Sequence, residues 1–279
     1  MPSAHHHLPI FFVSDGTGIT AETLGSTLLT QFDDGRFNES TLPFINTPDK
    51  AHEAVNKIEN AGRAAGIRPI VFSTTVNDDA RAVLRDNSSA LFLDLFDAFV
   101  GTLENALDRP STHREGRAHG IADTAAYASR IEAMNYALAH DDGLKTNGYD
   151  RADVIIVAPS RCGKTPVSLY LAMQFGVFAA NYPLTDEDEI GRAGMPQVLR
   201  DQTEKLYGLW IEPQQLQRIR DQRRPDSRYA SKAQVSAELE RATGLFERYR
   251  VPWANSSHKS IEEIATLIMQ SKNLRHPGF

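Results

Sequence analysis

The chain has 279 residues, 41% of them hydrophobic and 24% charged, with a formal net charge of −6. That is enough apolar material for one large α/β unit or two smaller lobes, and the acidic balance argues against a nucleic-acid binder, which would carry a basic excess. The single cysteine, Cys162, excludes an intrachain disulfide and any multi-cysteine metal site and suits a reducing cytoplasm. No apolar run approaches the ~20 residues of a membrane helix, and MPSAHHHLPI lacks the basic and apolar regions of a signal peptide. The His5-His6-His7 run reads as a short arm rather than a metal site.

Taken in chain order, short apolar runs alternate with longer amphipathic ones. IFFV (10–13) reads as a buried strand, followed by SDGTG and a helix carrying Leu24, Leu28 and Leu29. LPFI (42–45) reads as a second strand, and the helix after it places Val55, Ile58 and Ala65 on one face. PIVFS (69–73) and ALFLDL (90–95) are further strands with helices between. Apolar runs separated by helices imply parallel strands buried on both faces, hence an α/β architecture. DRPSTHREGRAHGIADTAA (108–126) reads as a linker or loop. A long helix follows with Ile131, Met134 and Leu138 at helical spacing, ending in HDDG (140–143).

The second half repeats the alternation. VIIV (154–157) is a strand, and the helix after it bears Val167, Leu171 and Phe175. VFAANYPL (177–184) and LYGLWI (206–211) are further strands, with the acidic loop TDEDEIGRAG between them. RIRDQRRPDSR, from Arg218 to Arg228, is a local basic cluster that reads as a solvated helix end and loop. Val235, Leu239 and Phe246 mark a helix, VPWAN (251–255) a short strand, and Ser260 with Glu263 a capping box opening a helix with Ile261, Ile264 and Ile268 inward. The expected architecture is two lobes of parallel strands with flanking helices, residues 1–150 and 151–279, the second lobe P-loop-like.

That last expectation rests on Ala158-Pro159-Ser160-Arg161-Cys162-Gly163-Lys164-Thr165. The phosphate-loop pattern is G-x-x-x-x-G-K-[ST] between a strand and a helix. Here the context and the GKT ending fit, but Ala158 replaces the first glycine and Pro159 removes one amide donor. Gly163 would let the backbone approach a phosphate, Lys164 would supply charge to a β-phosphate, and Thr165 would offer a hydroxyl to Mg²⁺. Arg161 could restore the lost positive character with a bidentate contact, and Cys162 reads as a passive small residue rather than a reactive thiol. An apolar strand ending in a metal-holding acid is not evident: Asp94 reads as a cap and Glu212 is no better placed.

A second glycine loop, Gly16-Thr-Gly18-Ile-Thr-Ala21, also follows a strand and opens a helix. It fits G-x-G-x-x-A, yet no acid ends the next strand to hold a ribose. Three readings stay open, a phosphate-related site with Asp15 nearby, a tight turn with a helix cap from Thr17 or Thr20, or a nicotinamide or flavin cofactor site. From the residues alone the chain is a nucleotide-dependent phosphotransferase with an unknown acceptor.

SRCGKTPVSLYLAMQFG (160–176), FFVSDGTGITAE (11–22), RIEAMNYALAHDDG (130–143), AANYPL (179–184), DSRYAS (226–231) and NSS with SIEEIA (255–265) resemble, in order and over almost the full length, stretches of the phosphoenolpyruvate synthase regulatory proteins, relatives of the pyruvate, phosphate dikinase regulatory proteins. The resemblance implies a bifunctional regulator, a serine/threonine kinase using ADP as donor and a phosphorylase that removes the same phosphate with inorganic phosphate, releasing pyrophosphate. It implies a threonine of phosphoenolpyruvate synthase as target and maps the nucleotide loop onto Ala158 to Thr165, where Ala158 and Pro159 depart from the family's Gly and Val. Lys164, Arg161 and Asp15 are the catalytic candidates, with Asp141 or Asp142 as other choices for the acid that orients the threonine. A homodimer is compatible with the resemblance. An ATP-dependent small-molecule kinase and a non-catalytic ADP-sensing regulator remain the alternatives.

Overall fold

Among the described residues eight short strands form two all-parallel sheets. The computed structural model describes residues 7–32, 35–112, 124–185 and 194–274. His5 and His6, the middle of the 108–126 linker and most of the acidic TDEDEIGRAG loop lie outside these residues. The chain divides into two compact units, Met1–Gly120 and Ile121–Phe279.

The first sheet contains β1 (Leu8–Val13), β2 (Phe37–Leu42), β3 (Ile70–Ser73) and β4 (Leu91–Asp94) in the order β2-β1-β3-β4. Helix α1 (Ile19–Leu29) joins β1 to β2, α2 (Pro48–Ala65) joins β2 to β3, and α3 (Asp78–Asp86) joins β3 to β4. Ile10, Phe12 and Phe72 pack with α1 on one side of the sheet, while Phe11, Val13 and Val71 pack with α2 and α3 on the other. A fourth helix, α4 (Asp97–Leu107), ends this unit.

Two expectations need correcting here. The second strand is FNESTL rather than LPFI, because Pro43 has no amide to donate and Phe44 adopts φ 59°. β2 is an edge strand whose polar residues face outward, so it lacks the apolar signature that identifies its neighbours. On α1, the buried residues are Ala21, Gly25 and Leu29, while Leu24 and Leu28 are exposed.

The second unit contains β5 (Val154–Ala158), β6 (Ala179–Pro183), β7 (Leu206–Trp210) and β8 (Trp253–Asn255), in the order β6-β5-β7-β8. Helix α5 (Thr124–Ala139), which the 1–150 reading would assign to the first domain, belongs to this unit. Its inward residues are Ala133, Tyr136 and Ala137, with Ile131 and Leu138 exposed, so the expected face is rotated. Helix α6 (Lys164–Phe175) links β5 to β6 and buries Val167 and Leu171. Helices α7 (Pro213–Arg223), α8 (Lys232–Arg248) and α9 (Ile261–Ser271) complete the unit. The capping box on α9 is present in both directions, Glu263 N to Ser260 Oγ at 3.2 Å and Ser260 N to Glu263 Oε2 at 2.8 Å. Ile264 and Ile268 face inward as expected, but Ile261 is exposed.

β5, the first strand of its unit, lies in the middle of the sheet, and the chain goes first to one side (β6) and then to the other (β7). Such a reversal leaves a crevice beyond the carboxyl end of the central strand, the usual ligand position in open parallel sheets. The Ala158–Thr165 loop lies there. Among the described residues no helix is long and apolar enough to cross a membrane.

Candidate active site beyond strand β5

The loop leaves β5 at Ala158, which is fully buried and accepts a hydrogen bond from Leu184 N at 3.0 Å. Arg161 (φ 72°) and Gly163 (φ 93°) are left-handed, and Gly163 caps the N-terminus of α6 without a side-chain bond. The positive end of α6 therefore faces the crevice with free amides. Ser160, Arg161, Gly163, Lys164, Thr165 and Pro166 line a cleft of about 850 Å³, together with Asp141, Asp142, Ile219, Arg223, Arg224 and Tyr229. Of the eight loop residues, Ala158 and Cys162 point instead into the core between the sheet and α6.

Lys164 is the most telling side chain. It is only 4% exposed, a placement an ammonium tolerates only with partners. Its Nζ donates to Pro159 O at 3.3 Å and lies 3.3 Å from Asp142 Oδ1. Thr165 Oγ1 donates to Asp141 Oδ1 at 2.7 Å. The two acids come from the HDDG turn, a short 3-10 helix Asp141–Gly143 in which Asp142 is left-handed at φ 44°. Both acids thus come from upstream of the loop, whereas phosphate-loop patterns look for one downstream.

Asn181 fixes that turn. It is fully buried on β6, accepts Asp142 N at 2.9 Å, and donates to Asp141 Oδ1 at 2.6 Å and to Ser168 Oγ at 3.1 Å. His140, before the turn, stacks on Tyr136 with ring centroids 4.0 Å apart and shares a 2.8 Å hydrogen bond with Tyr136 O through Nδ1. Burial lifts the Tyr136 phenol to about 12 and pushes the neighbouring Tyr149 phenol up as well. Sequence reasoning missed Asn181. Its signal was a lone amide inside an otherwise apolar strand, AANYP.

The basic cluster of the sequence splits into different roles. Arg220 is fully buried, paired with Glu238 at 2.6 Å and stacked over the Tyr229 ring at 4.3 Å. Arg223 and Arg224 line the cleft. The solvated-face reading therefore fails for Arg220, while Arg223 and Arg224 are exposed at the end of α7 as it expects, although nothing in their spacing tells the buried arginine from its neighbours. Tyr229 lies 2.9 Å from Ser160 Oγ through its hydroxyl. Burial raises the Cys162 thiol to about 12 despite nearby Lys164 and Arg220, consistent with a passive residue.

The other candidates have partners of their own. Asp15, in the first unit, is 9% exposed, and its Oδ2 accepts Val76 N at 2.5 Å and Asn77 N at 3.1 Å, where α3 begins. The carboxylate thus occupies the amides of that turn itself. Gly18, at φ 84°, caps α1 with no side-chain bond, so the cap expected from Thr17 or Thr20 does not form. Asp94 caps α4 by accepting Phe96 N at 3.1 Å and Asp97 N at 2.9 Å. Glu212 pairs with His258 at 3.4 Å. Among the described residues no cluster of three or more His, Cys, Asp or Glu could hold a metal ion. Thr165 and Asp141 nevertheless offer hard oxygen donors, and Mg²⁺ typically takes only one or two carboxylates beside phosphate and water.

A parallel α/β unit with a buried lysine, a hydroxyl and two acids at the switch point of its sheet belongs to the general class of phosphoryl-handling proteins. A family profile described as Kinase/pyrophosphorylase matches residues 10–269, and the chain belongs to that family. It is 52% identical over 271 residues to a protein of Azoarcus sp. (strain BH72), covering 97% of each chain. It is 46% identical over 266 residues to one of Legionella pneumophila (strain Corby), covering 95% of this chain and 97% of the other. A Pseudomonas putida (strain W619) protein is 49% identical over 264 residues, 95% of this chain and 96% of its own. All three bear the provisional name phosphoenolpyruvate synthase regulatory protein.

Proposed function

We propose that this chain regulates phosphoenolpyruvate synthase by moving a phosphoryl group on and off one threonine, as an ADP-dependent serine/threonine kinase and a phosphate-dependent phosphorylase. The family and the names of its relatives support the class and the target. The observation that carries the chemistry is the convergence of Lys164, Thr165, Asp141 and Asp142 on one cleft.

In the kinase direction the threonine Oγ attacks the β-phosphorus of ADP. The bond from that phosphorus to the bridging oxygen breaks, and AMP leaves. Lys164 and the amides at the start of α6 stabilise the charge that develops. Arg161 takes a terminal oxygen pair. Asp142, more than half exposed and beside Lys164, receives the threonine proton. Asp141 and Thr165 would hold Mg²⁺, which when bound neutralises diphosphate charge. In the reverse activity an oxygen of inorganic phosphate attacks the phosphothreonine phosphorus, the P–Oγ bond breaks, the threonine oxygen regains a proton and pyrophosphate leaves. Asp15 we assign to the first unit's own turn, because its Oδ2 is engaged by two amides.

The test is transfer of label from β-labelled ADP or γ-labelled ATP to phosphoenolpyruvate synthase in the presence of Mg²⁺. Label on a threonine from ADP alone, reduced at least about 100-fold in Lys164→Ala, supports the reading. Label from ATP alone favours an ordinary kinase, and ADP binding without transfer favours a sensor. Either of those results defeats the proposal.

A further inference from the structure

The loop begins with two residues that ought to weaken it, since Ala158 lacks glycine's freedom and Pro159 lacks an amide. Its backbone is nevertheless held from the side away from the cleft. Ser160 O accepts from Arg220 Nη2 at 3.0 Å and Nε at 3.3 Å. Cys162 O lies 3.3 Å from Ser256 Oγ, which shares its proton with Trp210 O at 3.1 Å. Neither Arg220 nor Ser256 lines the cleft, whereas Ser160, Arg161 and Gly163 do.

No peptide here is cis. In a planar trans peptide the carbonyl and the following amide point in opposite directions. Holding Ser160 O and Cys162 O against the protein therefore turns the amides of Arg161 and Gly163 toward the cleft. Among the described residues neither amide has an acceptor. Left-handed residues whose amides converge on one concavity are the elements of an anion-binding loop. Arg161 as a non-glycine left-handed residue costs energy, so an external clamp is needed to keep it there.

We propose that Arg220 is the positioning residue of this loop: its buried guanidinium, fixed by Glu238 and the Tyr229 carbonyl, holds the 160–161 peptide with its amide toward the diphosphate unit shared by ADP and pyrophosphate. Arg220 Nη1 donates to Tyr229 O at 3.1 Å, and Nη2 meets Glu238 Oε2 at 2.6 Å. Four of its five N–H donors are thereby spent on orientation, and the side chain does not line the cleft. Ser256 is the weaker second clamp. This inference rests on the cleft being the diphosphate site.

The experiment is calorimetric titration of the full chain with ADP and, separately, with pyrophosphate, in wild type, Arg220→Lys and Lys164→Ala, with thermal unfolding of each. Lysine keeps the cation beside Glu238 but cannot reach both carbonyls. The expected result is a folded Arg220→Lys protein in which both ligands weaken by the same factor, about tenfold. A merely structural or nucleoside-side role would not give equal factors. Unchanged affinity in folded Arg220→Lys, or loss for ADP alone, overturns the inference. Should Arg220→Lys fail to fold, Ser256→Ala decides instead: an equal loss of about two- to threefold for both ligands supports the clamp, and no change overturns it. If Lys164→Ala binds both ligands like wild type, the underlying reading of the cleft falls instead.

Discussion

Asp142 and Asp141 are neighbours in sequence with different surroundings. Asp141 takes hydrogen bonds from Thr165 and Asn181 and is held in place. Asp142 keeps 56% of its side chain exposed and faces the charge of Lys164. A group that must accept a proton from an incoming hydroxyl needs that access. Asp142→Asn is expected to lower kcat by about 100- to 10,000-fold while ADP affinity, measured by calorimetry, stays within about threefold. A loss of ADP binding without a change in kcat would return Asp142 to a purely structural partner of Lys164. The candidate site at this scale was partly legible. G-K-T announces itself because backbone approach, charge and hydroxyl must be adjacent in the chain. Asn181 and Arg220 act across 40 and 60 positions, on Asp141 and Ser160, and such pairing leaves no local pattern.

Helix α1 shows that leucines do not by themselves mark the inward face of a helix. Its leucines drew the expectation, yet Leu24 and Leu28 are exposed, and the inward stripe is Ala21, Gly25 and Leu29. Small residues are there because the helix lies close to a stacked aromatic pair, Phe12 and Phe72, with centroids 5.8 Å apart. A Cβ built on Gly25 would stand 2.5 Å from Phe12 Cε1 and 3.0 Å from Phe72 Cδ2. Alanine normally gains about 1 kcal/mol over glycine in a helix. Overpacking a close-packed site costs about 1–3 kcal/mol. The clash involves buried rings on both sides, so it outweighs the propensity gain. Gly25→Ala is expected to destabilise the chain by about 1 kcal/mol, read as a lower urea midpoint by circular dichroism. A higher midpoint would mean that the helix has room to shift. Edge strand β2 was misplaced for the opposite reason. The interior strands are legible because both faces are buried, but an edge strand has no such obligation.

The two units have the same strand order, with the first strand of each between its second and third. The loop after that strand differs in content. In the first unit Asp15 accepts from the amides of Val76 and Asn77; in the second Lys164 and the start of α6 face the cleft. The groups whose protonation folding perturbs most also gather in the second unit. Burial raises Tyr136 and Cys162 to about 12 each and moves Tyr149 up further, against ordinary values of 10 for the phenols and 9 for the thiol. Each of these acids is neutral when protonated, so a raised folded value means the folded chain keeps a proton that the unfolded chain releases. Stability from these groups is full below pH 9, where both states are protonated, and declines as pH rises from about 9 toward 12. Both tryptophans, Trp210 and Trp253, lie in this unit, 6.3 Å apart, so tryptophan fluorescence reports its unfolding. The urea midpoint followed in this way is expected to fall steadily above pH 9, and Tyr136→Phe, which removes one titrating group, should flatten the slope. A midpoint independent of pH between 9 and 11, or an unchanged slope in Tyr136→Phe, would show that these buried groups ionise in the folded chain as readily as in the unfolded one.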